Sequence, residues 1–259
     1  MEVNLDKIKE IIYKAGESFF NRKSAGHKKI KGIADYVTEV DITVQSEVRK
    51  MLYELYPAIQ FMGEEESSKE FDFNSTLWIL DPVDGTTNLI HDYQCSAISL
   101  ALVCKKRVRL GIVYNPYNKE MFWAEEGKGC YLNGNPIHVS SSQTMEESLI
   151  SIGTSPYYKE IAEDNFKIYQ SIFIDCQDIR RSGSAAIDLA YAACGRTEAF
   201  FEKRLKIWDY AAGMLLIREA GGLVLDYHGN DAELNYVADI VGGTPVITNI
   251  LTENYFNQH

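Results

Sequence analysis

Cysteine is scarce in this chain and follows no pattern. Cys95, Cys104, Cys130, Cys176 and Cys194 are odd in number, widely spaced and without a Cys-x-x-Cys pair, which argues against a disulfide framework and against a thiolate zinc site. The five histidines, His27, His91, His138, His228 and His259, are equally scattered and form no ligand pair at helical spacing. Long hydrophobic runs are missing too: "SAISLALVC" at 96–104 is the longest and is too short to span a bilayer. The opening "MEVNLDKIKE" lacks the basic-then-apolar layout of a signal peptide. A cytoplasmic protein with no membrane partner is the expectation. Positive charge is in deficit, with 26 Lys and Arg against 37 Asp and Glu and a formal net charge of −11. That field opposes general attraction to nucleic-acid phosphates, so no nucleic-acid partner is expected. An enzyme with this charge acting on an anionic substrate needs metal cations or well-placed Lys and Arg.

What is present suffices for a large core, since 46% of the 259 residues are hydrophobic. No fixed-period repeat, low-complexity tract or long linker divides the chain, so one compact unit over residues 1–259 is expected. Leu5, Ile8, Ile11, Ile12, Ala15 and Phe19 fall at helical spacing, as do Val44, Val48, Met51, Leu52 and Leu55 before Pro57. From residue 78 to 132, short β-branched and aromatic runs alternate with turn chemistry such as "NPYNK" and "NGNP", which predicts an antiparallel meander. Beyond residue 148, strand-like and helix-like segments alternate and predict layered α/β architecture.

The acids sit at element boundaries. In "LWILDPVDGTT" at 77–87, the strand is expected to end at Asp81, where Pro82 removes a ladder donor and turns the chain so that Asp84 comes back toward Asp81. Pro-x-Asp-Gly is also ordinary turn chemistry. Glu64 follows the apolar run "AIQFM" beside Gly63, Asp209 opens a helix next to Trp208, and Asp41 precedes another, where either aspartate serves equally as a helix cap. If Asp41, Glu64, Asp81, Asp84 and Asp209 converge, charges about 4 Å apart repel by roughly 4 kcal/mol at an effective dielectric of 20. Retained protons or hard divalent cations must then relieve the cluster, and all-oxygen ligation suits Mg²⁺ or Mn²⁺. Gly85, Thr86 and Thr87 offer free N–H groups to a phosphate beside such ions. "SGSAA" at 182–186 offers a comparable entry, with a plain N-cap as the alternative. No Gly-x-Ser-x-Gly elbow competes as a nucleophile site.

"GEE" at 63–65, "WILDPVDGTTN" at 78–88, "GSAA" at 183–186 and "WDYAAG" at 208–213 together resemble the inositol monophosphatase family of Mg²⁺-dependent, lithium-sensitive phosphatases, in its bacterial branch. The resemblance implies a five-layered αβαβα sandwich of the inositol monophosphatase / fructose-1,6-bisphosphatase type. It also implies a homodimer, and hydrolysis of a small phosphorylated polyol or sugar. The metal-binding half would cover about 1–140 and the substrate side about 141–259. By matching position, Glu64, Asp81, the Val83 carbonyl, Asp84 and Asp209 are implied as metal ligands. Asp41 and Thr86, with Glu64, are implied to orient and activate the attacking water. Gly85 and Thr86 would hold the phosphate, while Gly183, Ser184, Ala185, Glu202 and Asp209 would face the polyol.

One departure stands out. After Glu202 the chain reads "KRLKIWD", and Lys203 and Arg204 replace the apolar residue and glycine of many members. Arg204 would then crowd the polyol site or bring charge to a second phosphate, unless the pair forms a solvated basic turn. Lys31 is a further candidate to approach the metal site or phosphate. Fructose-1,6-bisphosphate and 3′-phosphoadenosine 5′-phosphate therefore stay open as alternative substrates, as does an inactive, metal-binding regulatory protein.

Overall fold

The computed structural model describes residues 3–32, 35–65 and 71–256, without the side chains of Arg22, Lys31 and Asp35. Helix α1 (Leu5–Ala15) buries Ile8, Ile11, Ile12 and Ala15, with Asn4 capping it through the Lys7 amide. The helical spacing extends to Phe19, but the α-helix stops at Ala15 and a 3₁₀ turn, Gly16–Phe20, carries Phe19 into the core. Short α2 (Arg22–Gly26) and a hairpin, β1 (Lys28–Gly32) and β2 (Asp35–Thr38), lead to α3 (Glu39–Leu55).

A seven-stranded sheet follows in sequence order: β3 (Gln60–Gly63), β4 (Thr76–Asp84), β5 (Ala97–Cys104), β6 (Arg107–Asn115), β7 (Glu120–Glu125), β8 (Cys130–Leu132) and β9 (Asn135–Ile137). The five-residue helix α4 (Thr86–Ile90) joins β4 to β5. Strands β4 to β8 form the expected meander, β9 extends it by one strand beyond residue 132, and β3 adds to it in parallel with β4. The second half runs β10 (Leu149–Ile152), α5 (Ala162–Asp175), β11 (Asp178–Arg180), α6 (Ala185–Ala193), β12 (Ala199–Lys206), α7 (Ile207–Glu219), β13 (Leu223–Leu225), β14 (Val237–Gly243) and α8 (Pro245–Leu251). Its five-stranded sheet has the order β11-β10-β12-β14-β13.

Three apolar cores stack these parts into five layers. Residues of α1 and α3 pack on one face of the large sheet, including Ile12 and Val48 against Leu100 and Ile112. Helices α6 and α7 are apolar on nearly every side, as a helix between two sheets must be. They fill the space from Ile79 and Phe122 of the large sheet to Phe200 and Ile240 of the small one. The outer face of the small sheet carries α5 and α8, through Ile168, Ile172 and Ile247 against Phe201 and Val241. The arrangement is the αβαβα sandwich. All five cysteines are free, and no helix among the described residues is long and apolar enough to cross a membrane.

Pro82 does not end its strand. β4 continues to Asp84 through a bulge: Asp81 stands opposite Ser99 and Asp84 opposite Ala97, so β4 has one residue more than β5 between the two pairs. The bulge is where a residue without a ladder donor is tolerated. It also brings both aspartates to one end of the sheet, as the expected turn would have done.

Candidate active site

Five elements deliver acids to a cleft of about 490 Å³: the end of β3, β4, α6, β12 and α7. Parallel pairing of β3 with β4 ends on a Glu64 amide bonded to the Leu80 carbonyl, 3.1 Å away, which sets Glu64 beside Asp81. The Glu64 and Asp81 side chains share a hydrogen bond. Asp81 Oδ1 accepts the Val83 amide at 2.9 Å inside the bulge. Asp209, in the first turn of α7, accepts the Lys206 amide at 2.7 Å, so it caps its helix and faces the cleft as well. Carboxylate oxygens of Asp81, Asp84 and Asp209 all lie within 4.8 Å of one another.

Asp84 reaches across to the other half of the chain. Its Oδ2 accepts the Ser184 hydroxyl and, at 2.7 Å, the Ala186 amide at the start of α6. Ser184 in turn caps α6 through the Ile187 amide. The "GSAA" segment is therefore both a helix cap and part of the cleft wall, where Gly183, Ser184 and Ala185 all line the space. Gly85 and Gly183 both have φ of +89°. The two turns press together: a Cβ on Gly85 would stand 3.2 Å from the Gly183 carbonyl oxygen. Asn88 ties them, donating to the Cys95 carbonyl at 2.6 Å and the Ser182 carbonyl at 2.9 Å.

Asp41 is fully buried at the third position of α3 and completes a capping box with Thr38. Its Oδ2 accepts the Thr38 amide at 2.8 Å and hydroxyl at 2.5 Å. The Thr86 hydroxyl lies 3.1 Å from Asp41 Oδ1 and 3.1 Å from the Val83 carbonyl oxygen. Both expectations for Asp41 hold at once, cap and partner of Thr86. On the opposite wall, Glu202 Oε1 accepts the Ser155 amide at 2.7 Å, and the carboxyl lies against Gly153.

Burial dominates the electrostatics. It raises the carboxyls of Asp81 and Asp209 well above the usual range, and neighbouring acids add to the effect, Glu64 foremost at Asp81 and Asp84 foremost at Asp209. Asp84 is pushed up to about 6 by burial, held back by the bonds from Ser184 and from the Ala186 and Ala185 amides. Burial likewise raises Glu202 to about 7. The donor set fits a hard cation: clustered carboxylate oxygens, poorly solvated and mutually repelling.

Arg204 departs from both functional expectations. It does not line the cleft, although Glu202, Leu205 and Lys206 do. Its side chain turns outward to Glu160, 2.6 Å away, and to the Tyr158 ring. Lys203 lies over the Tyr227 ring. The Lys31 side chain lies outside the described residues.

Several lining residues were not foreseen. Lys28 and Tyr36 come from the β1–β2 hairpin, and Tyr157, Tyr158 and Arg181 from the other side. Asp188 also lines the cleft. Its carboxyl accepts the Ser182 hydroxyl at 2.7 Å and is pushed by burial up to about 8. Its signal was available, as one acid in the otherwise apolar "AAIDLAYAA".

A layered α/β protein with clustered buried carboxylates at the mouth of its sheets is the class that fold and site define. The chain belongs to the inositol monophosphatase family, whose model matches residues 2–255. It is a family of metal-dependent phosphomonoesterases. Nus factor SuhB of Escherichia coli is 37% identical over 226 residues, which cover 86% of this chain and 84% of that protein. The crystal structure of the extragenic suppressor protein suhB from Bartonella henselae superposes with a TM-score of 0.90, at 33% identity over 96% of each chain. An IMPase of Thermotoga maritima gives a TM-score of 0.88 at 31% identity, covering 98% of this chain and 96% of that one.

Proposed function

We propose that this protein hydrolyses a small phosphate monoester, inositol monophosphate foremost, in the presence of Mg²⁺, with Mn²⁺ as a substitute. The observation that carries the reading is the meeting of Asp81, Asp84 and Asp209 oxygens within 4.8 Å at the base of the cleft. Glu64, Asp81, the Val83 carbonyl, Asp84 and Asp209 would hold the ions. When bound, the ions supply Lewis-acid charge that acidifies the attacking water and stabilises the departing alkoxide. Uncatalysed phosphate monoester hydrolysis is so slow that the barrier reduction is of the order of 20 kcal/mol or more.

The chain's own groups orient the rest. Thr86, held between Asp41 and the Val83 carbonyl, aligns the water, and Asp41 Oδ1 receives its proton through the threonine hydroxyl. The Gly85 and Thr86 amides hold the phosphate. Gly183, Ser184, Ala185, Asp209 and Glu202 meet the polyol hydroxyls, with Glu202 fixed by the Ser155 amide. The outward course of Arg204 supports a polyol monophosphate over a bisphosphate.

Phosphate release from myo-inositol 1-phosphate, fructose 1,6-bisphosphate and 3′-phosphoadenosine 5′-phosphate, assayed side by side with Mg²⁺, tests the reading. The first substrate should be turned over best. A second reading, a regulatory protein without turnover, is supported by the name Nus factor carried by the Escherichia coli relative. No release from any of the three, with metal binding intact, would select it.

A further inference from the structure

We propose that Arg204 is a positioning residue that sets substrate selectivity by latching the cleft wall formed by residues 156–158. The proposal deepens the hydrolase reading and rests on it for the identity of the substrate. Pro156, Tyr157 and Tyr158 line the cleft, and Arg204 stands behind them. Between Glu202 and Leu205, β12 bulges against β14: three steps on β12 span two on β14, from Ile240 to Ala238. At the bulge Arg204 takes a φ of +59°, a conformation that L side chains other than Asn and Asp rarely adopt.

The surrounding bonds show what this conformation achieves. Asp239 Oδ1 fixes the Arg204 amide at 2.8 Å. The guanidinium then reaches Glu160, on the 3₁₀ turn Lys159–Ile161, and lies 4.6 Å from the Tyr158 ring centroid. Beside it, Ser155 has a φ of +45° and donates its hydroxyl to the Lys203 carbonyl at 2.8 Å, while its amide binds Glu202. Two non-glycine residues in the left-handed region therefore flank one junction, joined through Glu202 and the Lys203 carbonyl. Such conformations persist where surrounding contacts over-determine them, and they cluster at ligand sites. The junction joins Glu202, proposed to meet the polyol, to the wall that would close over it. A side chain on the outer surface thus sets the width of the inner one.

The variants Arg204→Gly and Glu160→Gln test the latch. Glycine accepts φ +59° freely, so Arg204→Gly removes the side chain without straining the backbone. Hydrogen exchange at the Tyr158 and Ile161 amides, which bond to Ser155 and Tyr158 carbonyls, should quicken about fivefold or more in both variants. KM for myo-inositol 1-phosphate should rise about three- to fivefold, the upper part of the range that exposed polar contacts carry, with kcat little changed. KM for p-nitrophenyl phosphate, which has no polyol, should stay within about twofold of the original. Unchanged exchange in both variants would overturn the latch. Faster exchange with an unchanged ratio of the two KM values would overturn its role in selectivity. Exchange needs no turnover: a wild-type chain inactive on both substrates contradicts the hydrolase reading, and exchange then decides the latch alone.

Discussion

Ser184 donates its hydroxyl to Asp84, a residue 100 positions earlier in the chain. That bond joins the end of a strand in the large sheet to the start of α6, between the two sheets. It fixes one oxygen of the acid cluster by a group that itself lines the cleft. Asp84, proposed to hold metal, and Ser184, proposed to meet the polyol, are therefore joined directly, and a change at either should register on the other.

Replacing Asp84 or Asp209 by Asn should separate activity from stability. Each asparagine keeps an oxygen for its amide donors, from Ala186 or from Lys206, and removes one of several clustered charges. Phosphate release should fall about 100-fold or more, as when a main charge-stabilising group is lost. The metal-free melting temperature should hold or rise, because like-charge repulsion is relieved. Calorimetry in EDTA beside a phosphate assay in Mg²⁺ checks both halves.

Metal-free protein should lose stability as pH rises. Asp84 is raised to about 6, Glu202 to about 7 and Asp188 to about 8, each by burial first. An acid whose folded pKa exceeds its unfolded one binds protons more tightly when folded. Its stabilising contribution is complete below about pH 4 and is lost as pH passes through 6 to 8. In EDTA the melting temperature should therefore decline from pH 5 to pH 8, and added Mg²⁺ should raise it more at pH 8 than at pH 5. A flat EDTA profile would contradict the assignment of these burial effects.

Thr86→Ala should slow the chemical step. The hydroxyl bridges Asp41 and the Val83 carbonyl, so its loss should lower kcat about 100-fold. KM should move less than about threefold. A change confined to KM would reassign the hydroxyl to binding.

Gly153→Ala should displace Glu202. A Cβ there would stand 2.0 Å from the Glu202 carboxyl carbon, and Glu202, only 9% exposed, must shift from its place in the cleft wall. KM for a polyol phosphate should rise about tenfold, equivalent to one hydrogen bond of about 1.4 kcal/mol. Shortening the acid in the double variant Gly153→Ala, Glu202→Asp should restore part of the loss, as steady-state kinetics will show.

Much of this was legible because several chemical signals share positions. Asp81, Asp84 and Asp209 each follow or open an apolar element, β4 being buried from Leu77 to Asp84 and α7 on nearly every side. What stayed hidden had weak local signals. β14 ends in Gly242 and Gly243, residues with little strand preference, yet it lies between β12 and β13, where a Cβ on Gly243 would stand 2.1 Å from the Glu198 carbonyl oxygen. Close approach demanded the glycines that disguised the strand. Pro82 read as a strand end because a bulge is a tertiary accommodation that a local pattern does not carry. The outward path of Arg204 depends on Glu160, 44 residues away. Lys28 and Tyr36 enter the cleft from a hairpin with no clear alternation.

Diffraction at the manganese edge from crystals soaked in Mn²⁺ tests the central claim most directly. Anomalous peaks should appear among the carboxylates of Glu64, Asp81, Asp84 and Asp209, and should be lost or weakened in Asp84→Asn. Manganese found only elsewhere, or these carboxylates left without an ion at millimolar Mn²⁺, would contradict it.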